Sequence, residues 1–336
     1  MKLVYHDVSR IDEVKAFIQE WENGSECITC TTSGSTGSPK LIEVSKKHLT
    51  HSALRTIDYF GLRSGMKAGL ALSMNSIAGK LMMIRSILAQ LELHVLPVEK
   101  NPLAEVDITL DFIALVPTQA LAFINDSRDR QKETTVLIGG APITNTQHQK
   151  IFNYWKNAYQ SYGMTETASH VALRRITTDV DAPYHALQGI SFAEEDSTLV
   201  IYSREFYKEG IHTTDCVELL SNNAFRYIGR NDFVINVAGN KVHPEEVERK
   251  LSGYISGEFM IIPYPDEFYG QVIGIVLTNQ ENPISIEGFK AIKSLSPFEI
   301  PRKQTVLDHL ERNTNDKLDR KAIIKAGNSY VWQPIL

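Results

Sequence analysis

Apolar residues fall into two spacings along the chain. Ile11, Val14, Ile18 and Trp21 recur at helical intervals, with Ser9 as the candidate cap. The next run, Cys27-Ile28-Thr29-Cys30-Thr31-Thr32, reads as a strand and gives way to a loop of small residues. Ser45 is placed to cap a helix whose Leu49, Leu54, Ile57 and Phe60 share a face and which Gly61 ends. Strands at 70–72, 93–96, 112–116 and 136–138 then alternate with helices at 79–90, after Pro117 and at 144–155. Short apolar strands separated by helices predict an α/β fold, a large N-terminal domain of mostly parallel sheets flanked by helices. From 199 to 227 the texture changes to short strands joined by polar turns. Beyond Gly229-Arg230-Asn231-Asp232 a helix after Pro244, strands at 260–263 and 272–278, a helix near 286–293 and a strand at 305–307 predict a small α+β unit. The expected division is 1–230 and 231–336.

Composition narrows the function classes. The 336 residues carry 35 Lys and Arg against 40 Asp and Glu, a formal charge of −5, so no basic surplus points to nucleic acid or an anionic membrane. The apolar run from Leu81 to Leu88 is interrupted by Arg85, and no stretch approaches the ~20 apolar residues of a membrane span. The first residues lack the apolar core of a secretory signal, and Cys27, Cys30 and Cys216 suit reduced thiols. A cytoplasmic protein is expected, with oligomeric state left open. Cys27 and Cys30 have metal-ligand spacing, but no second pair accompanies them and zinc is rejected.

The stretch richest in chemistry is Thr32-Ser33-Gly34-Ser35-Thr36-Gly37-Ser38-Pro39-Lys40. Its glycines let backbone N–H groups approach an anion, its hydroxyls add donors, and Lys40 adds a cation. A plain polar loop between strands is the alternative. It is neither a Walker loop, which needs Gly-Lys-Ser/Thr at fixed spacing, nor a dinucleotide fingerprint, which needs a third glycine and a helix directly after it.

This loop resembles the phosphate loop of the adenylate-forming enzymes: acyl-CoA synthetases, peptide-synthetase adenylation domains and luciferases. Four more blocks follow in that family's order. They are Tyr162-Gly163-Met164-Thr165-Glu166-Thr167, then Thr213-Thr214-Asp215, then Gly229-Arg230-Asn231-Asp232 with Gly239-Asn240-Lys241-Val242-His243-Pro244-Glu245, and finally Asn315-Asp316-Lys317-Leu318-Asp319-Arg320. Thr214, Ala238 and Asp316 each stand where the family has glycine.

The resemblance implies two half-reactions: a carboxylate attacks the α-phosphate of ATP, and the thiol of coenzyme A then attacks the acyl adenylate. It implies a small-molecule carboxylic acid, ATP, Mg²⁺ and coenzyme A as ligands, and a mobile C-terminal domain. Thr32, Ser33, Gly34, Ser35, Thr36, Gly37 and Lys40 would bind nucleotide, with Gly140, Ala141, Tyr162 and Gly163. Tyr162 would stack on adenine, while Asp215 and Arg230 take the ribose. Glu166 would ligate Mg²⁺, Thr165 would donate to phosphate, Lys317 would serve adenylation, and Asp232 would be the hinge.

For the acid, Ser73-Met74-Asn75-Ser76-Ile77-Ala78-Gly79-Lys80 lacks the aspartate by which amino-acid-activating relatives pair an ammonium. The segments 77–85, 114–119 and 137–142 look most like the o-succinylbenzoate–CoA ligases of menaquinone biosynthesis, whose acid-binding arginine falls on Arg85. Ser76, Gly139 and Met164 would line the same pocket. Only 31 residues precede Thr32, so that pocket is expected to come from segments after it. Arg85 itself is expected at the edge of a buried helix face, where the bland alternative is a guanidinium that snorkels to water. A carrier-protein-loading enzyme and a non-catalytic nucleotide-binding regulator are the competing functions. Glu166, Asp215, Arg230 and Lys317 together argue against the second.

Overall fold

The structure, a computed structural model, describes residues 1–31, 41–104, 106–125, 131–278, 284–312 and 318–335. The first half of the chain alternates strands and helices. In order these are β1 (Lys2–Tyr5), α1 (Ile11–Glu22), β2 (Cys27–Thr31), β3 (Leu41–Ser45), α2 (Lys46–Phe60), β4 (Lys67–Leu70), α3 (Ile77–Leu88), β5 (Glu92–Val95), β6 (Phe112–Leu115), α4 (Pro117–Asn125), β7 (Thr135–Ile138), α5 (Asn145–Tyr154) and β8 (Asn157–Met164). Ser45 caps α2 by accepting from His48 N, and Gly61 ends it in the left-handed region at φ 63°. Ser9 does not cap α1. Asp7 accepts from Ser9 N and caps a short 3-10 turn that leads into the helix.

Strands β1, β5, β4, β6, β7 and β8 lie side by side and pair parallel. Alternate residues of these strands face two cores. Leu70, Leu93, Phe112 and Ala114 meet α1, α2 and α3 on one side, while Ile113, Leu115, Val136 and Ile138 meet α4 and α5 on the other. Because β4 leads into α3 on one face and its neighbour β6 into α4 on the opposite face, the strand order reverses between them. Such a switch point opens a crevice at the carboxyl ends of the strands.

The same 12-stranded sheet continues through β9 (Ser169–Arg175), β10 (Tyr184–Ala186), β11 (Ile190–Glu195), β12 (Thr198–Ser203), β13 (Tyr207–Ser221) and β14 (Ala224–Arg230). This half is antiparallel. The links are too short for a helical crossover; Asp196 and Ser197, at φ 49° and 62°, turn β11 directly into β12.

The large sheet ends at Arg230, and a second, 6-stranded sheet starts at Ile235. It comprises β15 (Ile235–Val237), β16 (Asn240–Val242), β17 (Phe259–Asp266), β18 (Gly270–Leu277), β19 (Lys303–Val306) and β20 (Gln333–Pro334), with α6 (Pro244–Leu251), α7 (Ile286–Ala291) and α8 (Arg320–Ala326). Cores on its two faces hold Val247 and Phe289 with Ile273 and Ile275 on one side, and Ile323 with Met260 and Val276 on the other. Arg249 of α6 ion-pairs with Asp181 and accepts from Asn145, which ties the two units together. Among the described residues no helix is long and apolar enough to cross a membrane.

Candidate functional site

The carboxyl end of β8 carries the best-defined part of the site. Gly163 is required there, since a Cβ would stand 2.3 Å from the Ser169 carbonyl oxygen. The turn from β8 to β9 is then built on Thr167. Its hydroxyl accepts from Met164 N at 3.0 Å and lies 2.6 Å from the Ser169 carbonyl. Ala168 and Ser169 are held at φ 51° and 86°, a conformation that costs a side-chain-bearing residue about 1–3 kcal/mol. Ser52 of α2 pins the turn by donating to the Ala168 carbonyl at 2.7 Å. The outcome is directional: Thr165 is buried and Glu166 is exposed.

Glu166 fits a magnesium ligand by its chemistry. No group of three or more His, Cys, Asp or Glu side chains gathers among the described residues, but Mg²⁺ needs only one or two carboxylates when phosphates supply the rest.

Tyr162, on the same strand, donates its hydroxyl to Asp215 Oδ2 at 2.5 Å. Its ring stands edge-on to Phe225, with centroids 5.0 Å apart, and tilts against Tyr184. Burial and the neighbouring Asp215 hold the phenol well above its ordinary pKa. Asp215 and Arg230 are cross-strand partners on β13 and β14. Arg230 Nε lies 3.8 Å from Asp215 Oδ1 and makes no hydrogen bond, a gap suited to an intervening hydroxyl. The other end of Arg230 bonds Thr214 and, at 2.9 Å, Asp232. Asp232 thus sits exposed between the two sheets, tied to the last residue of β14.

Gly139 and Gly140 follow β7. Gly139 faces Ser161, which a Cβ would approach to 2.4 Å, and Gly140 is at φ 86°. Ala141 is partly exposed beside them, and Met164 is partly buried against the antiparallel core. Ser76 caps α3, accepting from Gly79 N and donating to the Ser73 carbonyl. Its hydroxyl is therefore engaged in local structure. Thr32, Ser33, Gly34, Ser35, Thr36, Gly37, Lys40 and Lys317 lie outside the described residues.

Arg85 departs from the sequence expectation. It is 2% exposed, whereas Leu88, at the end of the same apolar run, is 37% exposed. The helix is enclosed on every side from Gly79 to Ser86, so a residue at the edge of its apolar face is still interior and the guanidinium does not snorkel. Among the described residues no carboxylate pairs with it, and its Nε has no hydrogen-bond partner. Burial pushes its pKa down to about 9, so it remains a cation at neutral pH.

Sequence reasoning missed the residues around Arg85. His170 of β9 is 4% exposed, and its Nε2 lies 3.2 Å from Thr56 Oγ1. Thr56 gives its own proton to the Ser52 carbonyl, so His170 donates from Nε2. Burial first, then Arg85 and Arg55, hold its pKa well below the ordinary value and keep it neutral. The available signal was the polar series His48, Ser52 and Thr56 at four-residue intervals. All three are buried on α2, while Leu54, placed on one face with Leu49, Ile57 and Phe60, is 40% exposed.

Comparison with known proteins places this geometry. The profile described as "AMP-binding enzyme" matches residues 6–200. The 2-succinylbenzoate–CoA ligase of Listeria monocytogenes serotype 4b is 23% identical over 342 residues, covering 93% of this chain and 72% of the ligase. The probable 2-succinylbenzoate–CoA ligase of Mycobacterium tuberculosis strain H37Rv is 27% identical, over 89% of this chain and 84% of that one. Among solved structures, an acyl-CoA synthetase (AMP-forming)/AMP-acid ligase II-like protein from Dyadobacter fermentans is 31% identical with a TM-score of 0.62, covering 95% of both chains. The o-succinylbenzoate CoA synthetase of Bacillus subtilis, solved with its acyl-adenylate intermediate, shares the fold at a TM-score of 0.72 and 19% identity, over 88% of this chain and 68% of that one. By both sequence and fold, the chain belongs to the AMP-binding enzyme family.

Proposed function

We propose that the protein is an acid–CoA ligase that activates 2-succinylbenzoate with ATP and transfers it to coenzyme A, a step of menaquinone biosynthesis. In the first half-reaction a carboxylate oxygen bonds to the α-phosphorus of ATP and the bond to pyrophosphate breaks. In the second, the thiol loses its proton, its sulfur bonds to the acyl carbon, and AMP leaves. Both anionic reactants of the first step need positive charge and oriented donors. Thr165 and the 32–40 segment supply donors, and Lys317 supplies a cation to the α-phosphate and the attacking carboxylate. Glu166 would hold Mg²⁺ against the phosphates, where the ion neutralises developing charge. Asp215 accepts from the ribose hydroxyls and Arg230 donates to them through its unpaired Nε, while the Tyr162 ring borders the base. Residues 231–336 act as a mobile domain that pivots at Asp232.

The observation that carries the substrate is Arg85. An unpaired buried guanidinium is retained at a cost of several kcal/mol, which a carboxylate ligand offsets with a bidentate pair. 2-Succinylbenzoate has one carboxylate to activate and another to place there, and the named relatives support the same acid. The test is pyrophosphate release across a panel of mono- and dicarboxylic acids, with and without coenzyme A. The reading expects 2-succinylbenzoate to be turned over fastest, with its CoA thioester as product. Preference for an aromatic monoacid overturns the diacid assignment. Adenylate formed without a CoA thioester makes the protein a carrier-loading enzyme.

A further inference from the structure

We propose that the Tyr162 hydroxyl is a spacer of the ribose slot: by holding Asp215 off Arg230, it keeps open the gap that a ribose hydroxyl of ATP enters. Resting on the proposed ribose role of Asp215 and Arg230, this gives a positioning task to the phenol, which that reading leaves without one. Asp215 and Arg230 are cross-strand partners on β13 and β14, and an acid and a guanidinium so placed ordinarily close into a hydrogen-bonded pair. Here they do not. Arg230 Nε stops 3.8 Å from Asp215 Oδ1 and is buried with no hydrogen-bond partner among the described residues.

Each side of the gap is held back by its own contacts. Tyr162 donates to Asp215 Oδ2 at 2.5 Å, the length of a charge-assisted bond. The phenol cannot follow the carboxylate toward Arg230, because its ring packs against Phe225 and Tyr184, with centroids 5.0 and 5.8 Å away. The Asp215 backbone is fixed as well. Its N–H donates to Thr213 Oγ1 at 3.1 Å, and that hydroxyl donates to the Leu199 carbonyl at 2.8 Å. On the other side, Arg230 is drawn to Thr214 and, at 2.9 Å, to Asp232, and lies over the Phe233 ring at 5.9 Å. Oδ1 and Nε are thus left as an acceptor and a donor too far apart to bond. A hydroxyl between them accepts from Nε and donates to Oδ1, satisfying both. The bland alternative is a buried phenol that has merely found an acceptor. Such a phenol has no bearing on which nucleotide binds, whereas a spacer does.

Calorimetric titration of wild type and Tyr162→Phe with ATP, 2′-deoxy-ATP and 3′-deoxy-ATP, each with Mg²⁺, tests the inference. Wild type should bind ATP at least about 10-fold more tightly than the deoxynucleotide that lacks the bridging hydroxyl, as one hydrogen bond to charged groups implies. In Tyr162→Phe the Asp215–Arg230 pair closes, so ATP binding should weaken about 10-fold and the discrimination should fall below about threefold. A variant that keeps the wild-type discrimination overturns the spacer, whatever its melting temperature, because a merely structural phenol alters stability and not the choice of sugar. If Tyr162→Phe does not fold, para-fluorophenylalanine in place of Tyr162 decides in the same way, since it fills the hydroxyl's volume with no proton to donate. Asp215→Asn separates this inference from the reading beneath it. Should wild type and Asp215→Asn bind all three nucleotides alike, the ribose assignment fails and the spacer with it. Discrimination lost in Asp215→Asn but kept in Tyr162→Phe overturns the spacer alone.

Discussion

Arg85 and Arg320 are both arginines in the interior, and their surroundings are opposite. Arg320, in the C-terminal unit, has a side chain only 11% exposed. It binds Glu248 through one nitrogen at 2.8 and 2.6 Å, donates to the Ile261 carbonyl at 2.7 Å, lies 3.9 Å from Glu245 and covers the Phe233 ring. Burial works against its charge, but Glu248 and Glu245 more than offset this and its pKa ends raised. Arg10, at the foot of α1, is comparably provided for by the carbonyls of Leu70, Leu96 and Leu72. Among the described residues Arg85 has neither acid nor carbonyl to receive it. The contrast between two provided guanidinium groups and a third without a described partner is what the proposed acid-binding role of Arg85 rests on.

Four measurements break or sharpen this contrast. Arg320→Met leaves Glu248 and Glu245 without their counter-charge and should cost about 3–5 kcal/mol of stability in urea unfolding at neutral pH. Arg85→Met, unfolded in the same way without ligand, should match or exceed wild type. Equal losses would erase the distinction between a structural and a ligand-binding arginine. In kinetics the order reverses. Arg85→Met should weaken 2-succinylbenzoate binding by roughly 2–4 kcal/mol, about 30- to 1000-fold in KM, with little change in the KM for ATP. A near-normal acid KM would show that Arg85 needs no anion.

The third measurement concerns the neutrality of the α2 face. Burial, then Arg55 and His51, lower the His48 pKa to about 4. The unfolded chain therefore takes up this proton near pH 6.5 while the folded one does not, so the stability His48 contributes is present above pH 6.5 and is lost as pH falls toward 4. Stability measured from pH 7 to 4 should fall by up to about 2–3 kcal/mol more in wild type than in His48→Gln. Parallel curves would place the proton elsewhere. The smallest effect is expected in the C-terminal unit, where Ala238 stands at φ 51° beside Gly239 at φ 85° in the β15–β16 turn. Ala238→Gly removes the left-handed strain and should gain about 0.5–1 kcal/mol, seen as a rise of a few degrees in melting temperature. A loss would mean that the alanine methyl packs.

The fold was legible because its signals are local. The hydroxyls of Ser45 and Thr144 and the glycine at 61 stop and start helices by bonding within a few residues, and strand alternation needs only the neighbouring positions. The order of motifs from Tyr162 to Arg230 was legible for the same reason, and the structure brings Tyr162, Asp215 and Arg230 together as strand neighbours. The α2 face was not. His48, Ser52 and Thr56 recur at helical spacing, and polar residues so spaced ordinarily face water. They are turned inward by what packs on α2, namely α3, the β8–β9 turn and the start of β13.

The sequence by itself therefore determined the elements, the family and the kinds of groups the reaction needs, because each of these is written in short-range spacing. Only the tertiary structure decided that Arg85 is sealed from water with no partner among the described residues and that His48, Ser52 and Thr56 of α2 are buried. Desolvation and charge pairing depend on which distant segments close over a side chain, and no local pattern encodes them.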